Sequence, residues 1–502
     1  MNPAFLPEEI RNRLVPSPSG KLIYSCLGCG SRYDITELLY TCPECGGVLL
    51  LEDTEFARLL QTPAAVWRDV FDCRRMSTQP ALSGIYRFHE FIGSVVPLSS
   101  VVYLGEGHTP MIRASETLAR TVGASFYYKN DGQNPSASFK DRGMASALSY
   151  INFLIDTGKV SEVLAVCAST GDTSASAALY ASYLAPKVKS AVLLPHGKVT
   201  PAQLSQPLGS GAAVFEVPGV FDDCMKVVEY LSEHYDVALL NSKNAWRILG
   251  QESYSYEIAQ DLSYDVAGTA VFVPIGNAGN ITAVMSGFLK FFAAGIIETL
   301  PKIVGVQSHH ADPVYRYYLE PDEDKRKFAP VTVEPSVAQA AMIGNPVSMP
   351  RVVKLAREYN ERSGRKNVFV IQVTEQEIMD SMLLANHHGH IACTQGGECL
   401  AGLRRALSQG IVSDGETAIL DATAHALKFS GFQDMYFSDS FPPEYGVVPK
   451  KELTNLPRLV RPGDLARVPA PGKPLEKEDF ARFVSRTAEE IARLISLSPR
   501  KK

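Results

Sequence analysis

The chain has 502 residues, of which 45% are hydrophobic and 21% charged, and its formal net charge is -5. That length predicts roughly two to four domains, and the apolar share excludes a chain that is disordered overall. The slight acidity excludes the electrostatic footprint of a dedicated nucleic-acid binder.

The first residues, MNPAFLPEEIRNRL, carry acids where a signal peptide has a basic region and then an apolar core. No run of 18 apolar residues follows; the best stretch, Ala283 to Leu300, contains Lys290 and Glu298. Nine cysteines, an odd number, cannot all pair within one chain. These features predict a soluble cytoplasmic protein with free or metal-bound thiols and no membrane contact.

Residues 1–52 read as a separate module. Cys26-Leu-Gly-Cys29 and Cys42-Pro-Glu-Cys45 are separated by twelve residues, 30–41. Two such knuckles place four thiolates around one tetrahedral metal, and zinc is the expected ion. Gly30, Gly46 and Gly47 let the backbone turn beneath it, and Tyr33–Tyr40 is expected to form a ribbon strand. A redox motif or disulfides are the alternatives, but no βαβ pattern surrounds the pairs. With four protein ligands no position stays open for chemistry, so the zinc is structural. Residues 21–50 hold Lys21 and Arg32 against Asp34, Glu37 and Glu44, which argues against a nucleic-acid ribbon.

From about Leu104 short β-branched-rich runs recur: Ser125–Lys129, Val163–Ala168, Ser190–Leu194, Ala213–Val217, Val237–Leu240, Ala270–Ile275, Ile303–Gln307, Val368–Val373 and Thr417–Leu420. Helical patterns such as Ser174–Leu184, Asp222–Glu233 and Asn280–Ala294 lie between them. Buried strands alternating with helices predict an α/β fold with parallel sheets covered on both faces. The charge run at 322–327 predicts a solvated loop, and Glu476–Leu497 an amphipathic terminal helix.

Several runs end in loops rich in Gly, Asn, Ser and Thr that open a helix, where ligands of open α/β sheets collect. In the first, Asn134-Pro-Ser-Ala-Ser leads to Phe139-Lys140 at a helix start. The helix-end field disfavours an extra cation there, and a buried lysine loses its charge readily. Those conditions suit a Schiff-base lysine, although an exposed lysine at a helix start is the ordinary alternative. Ser169, Thr170, Asp172 and Thr173 follow the second run, with hydroxyls and donors that suit a carboxylate; an N-cap is the alternative for Asp172. Gly276, Asn277, Ala278, Gly279 and Asn280 let backbone N–H groups close on an anion, or else form a plain helix cap. Asn241, Ser242 and Arg247 offer small polar groups and a planar donor fork for phosphate, with a surface salt bridge as the alternative for Arg247. Thr423, just past the last run, is by itself an ordinary buried threonine. The histidines at 387, 388 and 390 read as a polar loop cluster. Cys73, Cys167, Cys224, Cys393 and Cys399 read as core thiols.

The ordered set of Ser138-Phe-Lys140-Asp-Arg-Gly143, Cys167-Ala-Ser-Thr-Gly-Asp-Thr-Ser174 and Val273-Pro-Ile-Gly-Asn-Ala-Gly-Asn280 resembles pyridoxal-phosphate enzymes of the tryptophan-synthase-β fold type. Within that group it resembles the threonine synthases, particularly the branch that includes plant enzymes. Leu104-Gly-Glu-Gly-His-Thr-Pro110, Ala202-Gln-Leu-Ser-Gln-Pro207, Ile343-Gly-Asn-Pro-Val-Ser348 and Thr423-Ala-His-Ala-Leu-Lys428 add to the likeness, which runs from about Val66 to Phe429.

The resemblance implies two parallel-sheet lobes with the cofactor between them. The expected boundaries are 53–149 with 241–430 for the large lobe and 150–240 for the small one, followed by an extension over 431–502. It implies a lyase that turns O-phospho-L-homoserine and water into L-threonine and phosphate, working as a homodimer. Lys140 would carry pyridoxal phosphate and act as general base. Gly276 through Asn280 would cradle the cofactor phosphate, and Thr423 would meet the pyridine nitrogen. Asp172 would lie beside the 3-hydroxyl, where many relatives have Asn. Ser169 and Thr170 would grip the substrate carboxylate, with Thr173, Asn241, Ser242 and Arg247 at its phosphate. A related enzyme, such as cysteate synthase or an amino-acid dehydratase, is the alternative; a regulatory zinc-ribbon protein is the alternative of another class.

Overall fold

The computed structural model describes residues 5–161, 163–168, 171–196, 201–219, 221–461, 470, 472–473 and 477–500. Contacts divide the chain into two units, Met1–Pro449 and Lys450–Lys502. The second contains the helix Lys477–Leu494, where the amphipathic pattern predicts one. No helix among the described residues is long and apolar enough to cross a membrane.

In the first unit, β1 (Leu22–Cys26), β2 (Arg32–Asp34) and β3 (Leu49–Asp53) form an antiparallel ribbon in the order β2-β1-β3. The strand expected over Tyr33–Tyr40 stops at Asp34. Its Oδ1 accepts from Thr36 N at 2.8 Å and Thr36 Oγ1 at 2.6 Å, a side-chain turn that bends the chain out of the ladder.

β4 (Met111–Arg113) and β5 (Phe126–Asn130) pair antiparallel. The chain then builds a separate sheet from β6 (Val163–Ala168), β7 (Val188–Pro195), β8 (Ala213–Val217) and β9 (Val237–Leu239), parallel throughout in the order β8-β7-β6-β9. It returns through β10 (Thr269–Pro274), β11 (Lys302–Ser308), β12 (Val368–Val373) and β13 (Thr417–Ala422) to complete a six-stranded sheet, β12-β11-β10-β13-β5-β4. Each apolar run of the sequence has become a strand. The short antiparallel edge β4 was not expected; with three residues, none buried, it has no readable periodicity. β10 is buried at all six positions, as a central parallel strand covered on both faces must be.

The ribbon docks against the six-stranded sheet's helices through aromatic residues. Trp246 donates from Nε1 to the Tyr24 hydroxyl of β1 at 3.0 Å, and its ring stacks on Tyr150 at 4.1 Å. Tyr150 in turn donates to the carbonyls of Ile35 and Glu37.

Candidate active site

Lys140 begins the helix Lys140–Asp156, directly after the loop that leaves β5. Its start is pinned from three sides. Asp141 accepts from Ser136 N at 2.6 Å, Ser136 Oγ at 2.7 Å and Ser176 Oγ at 2.5 Å. Phe139 N donates to Thr423 O at 2.8 Å. Arg142 reaches into a set of buried acids behind the loop, with Nε 2.7 Å from Asp131 and Nη2 2.9 Å from Glu257. Burial pushes the Asp141 carboxyl up to about 6, while Arg142 and its neighbours hold Glu257 well below the usual carboxylate range.

Small residues decide what comes next to Lys140. A Cβ on Gly143 would lie 3.0 Å from Arg247 O, and one on Gly250 only 2.2 Å from Arg142 O. The helix Ala245–Gln251 therefore approaches the Lys140 helix at backbone distance, and Arg247 comes with it. Arg247 is 3% exposed. It donates from Nη1 to Leu240 O at 3.2 Å, and among the described residues its Nε has no partner and no carboxylate pairs with it. Burial lowers its pKa to about 10. Burial and then the nearby Arg247 charge lower Lys140 to about 8. Among the described residues the Lys140 Nζ has no hydrogen-bond partner and stands 4.4 Å from the Phe139 ring centre.

The loop after β10 leads into the helix Gly279–Ala293. A Cβ on Gly276 would lie 2.9 Å from Ala341 Cα, so only glycine fits against that facing segment. Ala278 takes the left-handed conformation, φ 62°, immediately before the helix. A turn of this hand at a helix N-terminus gathers N–H groups into an anion-binding concavity. Asn280 spends its Nδ2 on Asp421 Oδ2 at 2.7 Å, which ties the loop to the end of β13.

Lys140, Asp172, Ser242, Arg247, Gly276 through Asn280 and Thr423 line one cavity of about 610 Å3, its open mouth included. Thr423 Oγ1 lies 3.6 Å from Cys393 Sγ. Asp172 is paired: Lys428 Nζ sits 2.8 Å from its Oδ1 and also donates to Ser136 O at 2.9 Å. Thr173 and Asn241 are not among the lining residues. Asn241 folds its own turn, with Oδ1 accepting from Lys243 N at 2.8 Å. Ser169 and Thr170 lie outside the described residues. The cavity also takes in Gln395, together with Gln251, Ala340 and Ala341, to which last three sequence reasoning assigned no role. The need for glycine at 276 is the one signal of the alanine pair.

At the ribbon the sulfurs of Cys26, Cys29, Cys42 and Cys45 lie within 4.8 Å of one another. Four 2.3 Å bonds to a tetrahedral zinc set sulfurs about 3.8 Å apart, so the cluster fits that ion. Gly30 and Gly46 have φ of 79° and 70°, and a Cβ on Gly47 would lie 3.1 Å from two of the sulfurs. The knuckles thus need glycine for conformation at two positions and for space at a third.

Residues 102–421 match the family described as pyridoxal-phosphate dependent enzyme. A threonine synthase of Methanocaldococcus jannaschii is 35% identical over 410 residues, covering 81% of this chain and 93% of its own. The Arabidopsis thaliana protein threonine synthase 2, chloroplastic, is 32% identical over 414 residues, covering 81% and 76%. The solved threonine synthase of Escherichia coli superposes with a TM-score of 0.58 at 18% identity, covering 86% of this chain and 93% of that one, a likeness of fold.

Proposed function

The chain belongs to the pyridoxal-phosphate-dependent enzymes and, among them, to the threonine synthases, and on that basis we propose that it converts O-phospho-L-homoserine and water to L-threonine and phosphate. One observation carries the proposal: a buried arginine, without a carboxylate partner among the described residues, shares a cavity with a lysine of lowered pKa and a glycine loop at a helix N-terminus. Two anion-seeking groups around one amine suit two phosphates, one on the cofactor and one on the substrate.

Pyridoxal phosphate, when bound, supplies an aldehyde for the amine and a conjugated ring that spreads the charge left by proton removal. Gly276 through Asn280 would hold its phosphate, since their backbone can approach closely and the helix end adds partial positive charge. Thr423 would meet the ring nitrogen with a neutral hydroxyl. Asp172 would lie beside the ring hydroxyl as half of an ion pair, its charge offset by Lys428. Lys140 would carry the cofactor. Once displaced by the substrate amine, its Nζ would take protons from Cα and Cβ and return them later. Arg247 and Ser242 would grip the substrate phosphate and so orient Cγ for its departure, with Thr173 and Asn241 at the edge of that subsite. Ser169 and Thr170 would hold the carboxylate.

A phosphate-release assay with phosphohomoserine, phosphoserine and threonine side by side tests this. Phosphate and threonine are expected from phosphohomoserine alone; turnover of phosphoserine or deamination of threonine instead would point to the related enzymes.

We further infer a structural zinc on Cys26, Cys29, Cys42 and Cys45, supported by their mutual distances. Native mass spectrometry should find one zinc per chain, and finding none in protein made with ample zinc and reductant overturns it. The proposed lobes are 150–240 around the four-stranded sheet and 53–149 with 241–430 around the six-stranded one, followed by the 431–502 extension. A cytoplasmic homodimer, the dimer implied by the resemblance, completes the proposal; light scattering and cell fractionation check it.

A further inference from the structure

The segment that carries Ser242 and Arg247 is held from behind by the ribbon, and one residue makes most of that connection. Arg351, in the helix Met349–Ser363, is fully buried. A guanidinium has five N–H groups, and Arg351 makes five hydrogen bonds. Nε and Nη2 donate to Leu49 O at 3.0 and 2.5 Å. Nη1 donates to Ser242 O and to Ser348 Oγ, both at 3.0 Å, and Nη2 also donates to Lys243 O at 2.9 Å. Leu49 is the first residue of β3, which leaves the second cysteine knuckle. Ser242 lines the cavity. Ser348 N donates to Asn277 O at 3.1 Å, inside the glycine loop.

Among the described residues no carboxylate compensates Arg351. A buried cation without an acid is an expensive way to fill space, and an apolar side chain of similar volume is often neutral or better. What the fork supplies instead is geometry: it fixes three carbonyls from two separate segments in one plane. The Trp246–Tyr24 bond ties the other end of the same turn to β1, one residue before Arg247.

We propose that Arg351 is a positioning residue for the substrate's phosphate, through which the four-cysteine ribbon holds Ser242 and Arg247 in place and so sets the affinity for the phosphorylated substrate; this rests on the phosphate subsite assigned above. Arg351 touches neither substrate nor cofactor in this arrangement. Its effect runs through main-chain positions, which a lysine with three donors and no planar fork does not reproduce.

The test uses the zinc-loaded holoenzyme and two variants, Arg351→Lys and Tyr24→Phe. Five quantities are read: KM for phosphohomoserine, kcat, the inhibition constant of inorganic phosphate, bound-cofactor absorbance and zinc content. For Arg351→Lys, KM and the phosphate inhibition constant are expected to rise together by about tenfold, while kcat, cofactor and zinc stay within about twofold. For Tyr24→Phe, both constants are expected to rise by about two- to threefold; this variant decides the matter if Arg351→Lys does not fold. Unchanged phosphate inhibition in the variants, or a loss confined to kcat or to cofactor binding, overturns the proposal while leaving the subsite intact. If the wild type is not inhibited by phosphate and Arg247→Ala alters nothing, the subsite assignment itself falls, and the positioning role with it.

Discussion

Two buried arginines flank the start of the Lys140 helix, and their surroundings could hardly differ more. Arg142 is fully enclosed and fully compensated: Asp131 and Glu257 both bond it, and Glu257 also takes Lys129 at 3.0 Å and Arg87 at 3.4 Å. Arg247 is about as deep but, among the described residues, hydrogen-bonds only a main-chain carbonyl. The acids raise Arg142 well above its ordinary pKa, whereas burial lowers Arg247 to about 10. Burial therefore does not separate scaffold from site; the state of the donors does. A guanidinium whose donors are met within the protein, by acids at Arg142 or mostly by carbonyls at Arg351, belongs to the fold, and one with a donor unmet among the described residues, Arg247, is open to a ligand.

The largest expected effect lies at Lys140 itself. Lys140→Ala should abolish both protein-bound cofactor absorbance and turnover. A variant that keeps both removes Lys140 from the chemistry. Next comes the compensated arginine. Arg142→Met takes from the buried Asp131 its charged partner among the described residues, takes from Glu257 one of its three cations, and should lower stability by about 3–5 kcal/mol, read as a fall in the denaturant midpoint. Arg247→Met should behave oppositely. Its removal leaves no carboxylate unpaired, so the denaturant midpoint should hold or rise, while lost charged hydrogen bonds worth about 1.5–3 kcal/mol lower kcat/KM for phosphohomoserine roughly 10- to 150-fold. If both variants lose stability equally, the distinction between the two arginines is wrong.

The same distinction explains which features could be read from the sequence. The strands were legible because β-branched-rich runs of four to six residues must be buried somewhere, and parallel sheets bury them on both faces. The short edge β4 lacked the length for that signal. Within the cavity, Lys140, Arg247 and the glycine loop were legible because their residue types are awkward in any ordinary helix or strand. Asn241 shows a use that its residue type does not announce: its Oδ1 serves its own turn, accepting from Lys243 N. Ala340 and Ala341 carried no chemical signal, and their place emerges only from the space a Cβ on Gly276 would need. Lys428 and Arg351 were invisible because their roles depend on partners brought close by the fold, and those of Arg351 are mostly carbonyls that every residue owns.

The smallest effect tests the electrostatics most directly. Only a neutral amine condenses with an aldehyde, so capture of pyridoxal phosphate by the cofactor-free protein should speed up as Lys140 loses its proton. Burial and Arg247 lower that lysine to about 8, so the rise should centre near pH 8. An unperturbed lysine would place it near about 10.4. The neighbours should then move the midpoint in opposite directions. Arg247→Met removes a positive charge that disfavours the ammonium, so the midpoint should climb by roughly half a unit. Asp172→Asn removes a negative charge that favours the ammonium and leaves Lys428 uncompensated, so the midpoint should fall by a comparable amount. Stopped-flow absorbance across pH 6.5 to about 10.5 resolves shifts of that size. A midpoint unmoved in both variants would mean that burial alone sets the lysine, and that Arg247 lies too far off to matter to it.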